Sequence, residues 1–184
     1  TSLDDLFSTE ESRAEEEKER IQEIPITEID GFPEHPFHVD VDDAMREMVE
    51  SIKRFGVLSP AVARQKEDGR YELISGHRRK KACELAGIEK MPVIVRNMDR
   101  DEAIIFMVDS NLQRERLLPS EKAFSYKMKL DAMKRKQGER TDLTSAPMVQ
   151  KLTSREVLAE KSGDSHEQVR RYIRLTELTS DLLQ

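Results

Sequence analysis

Ser75-Gly76-His77-Arg78-Arg79-Lys80, near the middle of the chain, has the residue types and order of an anion cradle. The apolar run before it, within Tyr71-Glu72-Leu73-Ile74, reads as a short strand, and the basic residues open a helix. Gly76 lets backbone approach a ligand closely because it carries no Cβ. The first turn of the helix presents N–H groups without intrahelical partners and a partial positive charge, which suits a phosphate. Arg78 and Arg79 are expected to close on the same anion with fork-shaped, charge-assisted hydrogen bonds. A solvated basic helix face after an ordinary strand–helix turn would show the same residues, and they alone leave the two readings level.

A second set lies near the end of the chain. Ser165, His166, Gln168, Arg170, Arg171 and Arg174 share the polar face of a short helix whose apolar face is Val169, Tyr172, Ile173 and Leu175. These are donor types that read base edges and clasp phosphates. Just upstream, Ser154 is placed to cap a helix that ends at Gly163, so two short helices meet at a Gly-containing turn, the pattern of a helix-turn-helix over 154–176. A purely structural helical hairpin is the competing reading. Other chemistry is thinner. His35 and His38 stand three residues apart in a Pro-rich loop with no Cys or second His pair, so loop histidines are expected rather than metal ligands. No Ser–His–Asp or Cys–His constellation is visible, and Cys83 is expected to be a packed helix residue.

The elements that must position these groups follow from pattern. Residues 1–20 are polar and acidic, with Glu15-Glu16-Glu17, and are expected to be a disordered arm whose Leu3, Leu6 and Phe7 form a small apolar patch. Ile24-Pro25-Ile26 with Ile29 reads as an edge strand, because proline cannot donate to a central ladder. Asp42 and Asp43 start a helix with Ala44, Met45, Met48, Val49, Ile52 and Phe55 on one face, stopped by Gly56. Pro60 to Arg64 and Tyr71 to Ile74 form a hairpin through Glu67-Asp68-Gly69, and Met91 to Arg96 is a further strand. Asp99 caps a helix through Ala103, Ile104, Phe106 and Met107. Pro119 opens a long helix carrying Ala123, Phe124, Tyr126, Met128, Leu130 and Met133. Gln137 to Gln150 is expected to be a flexible connection. The division expected is an acidic arm at 1–20, an α+β domain at 21–110 and an all-α domain at 111–184.

Charge supports a nucleic-acid role despite a net −6. Residues 1–30 hold 3 Lys/Arg against 11 Asp/Glu, whereas residues 111–184 hold 15 against 11. The acidic excess is therefore a tail, and the basic excess coincides with the helical region. The 184 residues hold one cysteine and no apolar run near membrane-spanning length, which leads to an expected cytoplasmic setting. The chain starts at Thr1 and stops at Gln184 in helix-like sequence, so a longer parent protein is expected.

An ordered series of motifs then resembles the ParB family of chromosome and plasmid partition proteins. It runs through Ile24-Pro25-Ile26, Ser51-Ile52-Lys53, Gly56-Val57-Leu58-Ser59-Pro60, the Tyr71–Arg79 stretch, Pro92-Val93-Ile94-Val95, and Asn111-Leu112-Gln113-Arg114-Glu115. The resemblance implies a ParB/sulfiredoxin-like α+β domain that binds CTP, followed by an all-α helix-turn-helix domain. It carries the triphosphate onto Ser75, Gly76, His77, Arg78 and Arg79, and assigns Asn111 and Arg114 to the pocket, with Asn111 near Mg2+. It further implies binding of double-stranded DNA at a palindromic centromere-like site, a nucleoid-associated homodimer that closes as a clamp, and an N-terminal arm engaging a ParA-type ATPase. The alternative is a nucleotide-independent DNA-binding regulator or nucleoid-associated protein of the same fold. A sulfiredoxin-like enzyme is disfavoured because Gly76, not Cys, precedes His77. His77 and Ser110 stand where the family commonly has Glu, and Pro36-Phe37-His38-Val39-Asp40 stands where the family has a Pro-x-Gln-Pro-Arg loop, so an expected arginine is absent. Hydrolysis of CTP is therefore expected to be weak or lost unless Asp109 or Glu115 compensates.

Overall fold

The computed structural model of the chain describes residues 21–112, 117–139 and 163–177. The described residues pack as two units, one holding 21–33 and 39–98, the other holding Glu34–His38 together with the described residues from Asp99 onward.

The first unit is built on a five-stranded sheet of order β1-β5-β3-β4-β2. Strand β1 (Ile21–Pro25) pairs antiparallel with β5 (Lys90–Val95), which runs parallel to β3 (Ala61–Gln65). β3 and β4 (Tyr71–Ser75) form the expected hairpin, and the two-residue β2 (Ile29–Asp30) pairs parallel to β4. Pro25 ends the edge strand β1, where its missing N–H costs no central ladder bond. The expected strand does not run on to Ile29: Ile26–Glu28 form a 3-10 turn and Ile29 lies in β2 on the opposite edge of the sheet. The hairpin turn is closed by Lys66 N–H to Arg70 O (2.8 Å), with the Asp68 side chain accepting from Arg70 N–H (2.9 Å). Arg70 also grips the Asp30 carboxylate and the Thr27 carbonyl, which ties β2 to that turn.

Helix α1 (Asp43–Phe55) begins where Asp42 accepts from the Met45 N–H and ends at Gly56, whose φ of +71° favours glycine. Met45, Val49 and Ile52 are buried, Met48 is half-buried, and Ala44 and Phe55 are exposed. The expected stripe is therefore narrower at both ends. Ala44 lies about 100° round the helix from Met45, and Phe55 occupies the final turn before the cap. Helix α2 (His77–Ala86) follows β4 directly and ends at Gly87. Its Ala82 and Cys83 are fully buried with Ile29, Ala61, Ala63, Leu73, Met91 and Val93. Cys83 is thus a packed residue, and burial pushes its thiol pKa up.

The second unit is helical. Helix α3 (Arg100–Leu112) opens with a reciprocal cap in which Asp99 Oδ1 accepts from Glu102 N–H (2.8 Å) and Glu102 Oε2 accepts from Asp99 N–H (3.1 Å). The expected division at residue 110 runs through this helix, which packs against α4 (Pro119–Glu139). α4 reaches three residues, Gln137 to Glu139, into the stretch read as a connection, which otherwise lies outside the described residues. Ala123, Tyr126 and Leu130 of α4 are buried as expected, whereas Phe124 faces solvent at 39% exposure. Lys129 is buried and paired with Asp109 of α3. Helix α5 (His166–Leu175) packs on α4. The expected arm at 1–20 and the first helix of the helix-turn-helix, Ser154 included, lie outside the described residues.

Candidate nucleotide site and nucleic-acid face

The turn from β4 into α2 requires glycine for two independent reasons. Gly76 has φ +105°, in the left-handed half of backbone space, and a Cβ built there would lie 2.9 Å from the Ala61 Cβ. The helix begins with His77, Arg78, Arg79 and Lys80, has no acidic residue in its first turn and no side-chain cap. Positive side chains at this end work against the helix dipole, so the protein gives up a small stabilisation to concentrate cationic charge there. That arrangement suits an anion at the start of α2.

The four cations are not equivalent. Arg79 Nη1 donates to the carbonyls of Ser59 and Pro60, each at 2.6 Å, so this side chain fastens the segment before β3 to α2. Burial pulls the Arg79 pKa down from its usual value. The expected pincer of two arginines is therefore not the geometry seen here. Arg78 instead donates from Nη2 to Asp42 Oδ1 at 2.9 Å, and Asp42 is the N-cap of α1. The Arg78 hydrogen bond, followed by the Met45 N–H, holds the Asp42 carboxyl below its usual range. Lys80 and Lys81 both lie within ion-pair distance of Glu84. Ser75, the last residue of β4, and His77 are half-buried on either side of Gly76.

Asn111 belongs to the second unit. It is 3% exposed, and its amide donates to Met107 O at 2.8 Å and to Ser110 Oγ at 3.3 Å. Arg114 and Glu115 lie outside the described residues. Asp109, one of two carboxylates considered as a stand-in, is taken up by the Lys129 ammonium. Among the described residues no group of three or more His, Cys, Asp or Glu side chains gathers to hold a metal. Asn111 offers one neutral oxygen, so the described residues do not by themselves fit a magnesium ion, which favours one or two carboxylates alongside phosphates and water. His35 and His38 serve the protein: His35 Nδ1 lies 2.8 Å from Phe37 O, and His38 meets Glu121. Glu121, 7% exposed, accepts from His38 N–H (2.7 Å), His38 Nδ1 (3.2 Å) and Leu118 N–H (3.0 Å). Burial pushes its pKa up, but these hydrogen bonds outweigh burial and leave it lowered.

The helical unit offers a second surface. Ser165 caps α5 by accepting from Gln168 N–H (3.2 Å), while Gln168 Oε1 accepts from Ser165 N–H (2.8 Å). Val169 is fully buried against Tyr126, and Tyr172 stacks edge-on to Tyr126 with centroids 5.9 Å apart. The Tyr126 hydroxyl donates to Asp164, and the Lys122 ammonium sits 2.7 Å from Asp164 and 5.0 Å from the Tyr172 ring centroid. This cluster, whose members come from stretches far apart in the sequence, seats α5 on α4. Ser165, His166, Gln168, Arg170, Arg171 and Arg174 all remain exposed on the outer face. Part of the Gln168 carboxamide is thus spent on the cap, while three arginines project from one face.

A family model described as the ParB N-terminal domain matches residues 10–112. The chain belongs to the ParB family. It is 33% identical over 164 residues to a nucleoid occlusion protein of Listeria monocytogenes, covering 89% of this chain and 51% of that protein. It is 40% identical over 108 residues to a nucleoid occlusion protein of Bacillus thuringiensis, covering 59% of this chain and 37% of the relative. The chain therefore spans about half the length, or less, of these curated relatives. Among solved structures it resembles a C-terminally truncated chromosome-partitioning ParB of Caulobacter crescentus complexed to the centromeric parS site. That match has a TM-score of 0.55 and 26% identity, covering 88% of this chain and 74% of the other. As a ParB-family chain it has the expected α+β domain. No described helix is long and apolar enough to cross a membrane.

Proposed function

We propose that this ParB-family chain is a sequence-specific DNA-binding partition protein whose hold on DNA is gated by CTP. The observation that carries the reading is the start of α2, where Gly76 and a cationic first turn with no acidic side chain stand in the family's phosphate-binding motif. Ser75, Gly76, His77 and Arg78 contact the triphosphate, Arg79 braces the wall behind it, and the family resemblance adds Asn111 and Arg114 to the nucleotide-binding residues. Ser154 and the exposed face of α5 contact a palindromic site as part of a helix-turn-helix over 154–176. The complex with parS in the Caulobacter relative supports this assignment of the DNA partner. The protein acts as a homodimeric clamp on the nucleoid, with an N-terminal arm engaging a ParA-type ATPase. His77 in place of a carboxylate leaves CTP turnover weak, because a neutral imidazole offers no anionic oxygen to a hard cation such as magnesium.

One observation favours a second reading, a regulator of the same fold without nucleotide control. Arg78 and Arg79 are both engaged within the protein, by Asp42 and by the Ser59 and Pro60 carbonyls. Selection of bound duplexes from a random pool, with and without CTP, separates the two. The first reading predicts one enriched palindrome and a CTP-dependent change in the amount retained. Equal retention with and without CTP would favour the second.

A further inference from the structure

We propose that Asp42 is a competing carboxylate built into the nucleotide site, holding Arg78 in the absence of phosphate and lowering the affinity of the site for a nucleoside triphosphate. This rests on the nucleotide reading of Gly76–Arg79 given above. Asp42 Oδ1 accepts two hydrogen bonds, from Met45 N–H at 2.8 Å and from Arg78 Nη2 at 2.9 Å. The first makes it the cap of α1, and the second brings it to the first turn of α2, 36 residues further along the chain. Neither helix needs this contact for its own hydrogen bonding, since the Met45 bond alone caps α1.

A guanidinium presents five N–H donors in a planar fork, so Arg78 can hold Asp42 and still offer donors to a phosphate. Two anions on one guanidinium, however, lie within a few ångströms of each other. Their repulsion opposes binding, and the charge-assisted bond to Asp42 must be shared or given up. The Arg78 side chain is 26% exposed and that of Asp42 49%, so solvent and salt moderate the effect without removing it. The same oxygen that caps α1 therefore sets how readily α2 receives a phosphate. Occupancy of the site is transmitted to the start of α1 through one carboxylate.

Asp42→Asn isolates the charge. Asparagine keeps an oxygen for the Met45 and Arg78 donors and is as good an N-cap as aspartate, so the fold is retained. We expect the variant to bind CTP about threefold to tenfold more tightly at low ionic strength, with the gain shrinking as salt is added. The experiment is calorimetric titration of CTP, with magnesium, into the wild-type and Asp42→Asn chains at two ionic strengths, with thermal unfolding of each as the control for folding. A tighter, salt-sensitive Asn variant with unchanged unfolding supports the proposal. If the wild type binds CTP and the variant binds equally or more weakly, the nucleotide reading stands and the role of Asp42 is overturned. If neither chain binds CTP, GTP, ATP or UTP, the nucleotide reading is refuted and the proposal falls with it.

Discussion

Replacing Gly76 by alanine puts the geometry of the strand–helix turn to a quantitative test. Two costs arise at one atom. The backbone holds φ +105°, where a side chain costs about 1–2 kcal/mol. The new methyl would also lie 2.9 Å from Ala61 Cβ and 3.3 Å from Ala61 Cα, a collision with β3 that overpacking data place at about 1–3 kcal/mol. Together the loss expected for Gly76→Ala is about 2–5 kcal/mol, read as a lower urea midpoint at constant slope. The two parts can be separated. Ala61→Gly removes the Cβ at the collision, so combining it with Gly76→Ala should recover part of the loss beyond what the single variants predict. The backbone part cannot be recovered in this way. A Gly76→Ala chain within about 0.5 kcal/mol of wild type would refute the claim that close approach to Ala61 shapes this turn.

Other expectations follow from the charged groups and the outer face of α5. Arg64 and Glu72 pair across β3 and β4 at 2.6 Å with side chains 17% and 7% exposed, so Arg64→Ala, which strands the Glu72 charge, should cost about 3–5 kcal/mol in denaturant unfolding. Replacing both partners by apolar residues should recover most of that loss. The lowered carboxyls of Glu121, Asp30 and Asp99 contribute stability that is present above the ordinary carboxylate pKa and lost as pH falls through their lower folded values. Thermal unfolding should therefore be flat from neutral pH down to about pH 5 and then decline, and Glu121→Gln should make the decline shallower. Arg171→Ala should weaken binding to a selected duplex by about 1–3 kcal/mol if it reads a base, measured against a scrambled duplex. Gln168→Ala should lose a smaller part of that discrimination and also lower stability, because its carboxamide is half of the α5 cap.

Much of the first unit was legible because its signals are local. The Asp42 cap, the apolar spacing through Ile52, the Gly56 and Gly87 stops and the Glu67-Asp68-Gly69 turn each act within a few residues, and each element forms where that chemistry predicts. What stayed hidden depends on residues far apart in sequence. The parallel pairing of Ile29 with Tyr71 spans more than one element, and nothing in a two-residue strand announces its neighbour. Glu121 reaches His38 across 83 positions, and this contact places the Glu34–His38 segment with the helical unit.

The candidate site shows the same limit. Residue type and order picked out Gly76 and the cationic first turn, but could not say where each arginine points. Arg79 turns back to the Ser59 and Pro60 carbonyls before β3, and Arg78 turns to the carboxylate that caps α1. On α5 the exposed face was legible from its period, whereas the Lys122, Tyr126 and Asp164 cluster that seats it was not. Its members come from separate elements and carry no shared spacing.

The measurement that bears most directly on nucleotide-gated DNA binding is retention of the chain on a closed DNA molecule carrying the selected palindrome, followed as CTP is added. CTP, but not ATP, should raise the amount retained on closed DNA bearing the palindrome, and this gain should disappear when the palindrome is scrambled. Retention unchanged by CTP on both DNA molecules would contradict nucleotide-gated binding.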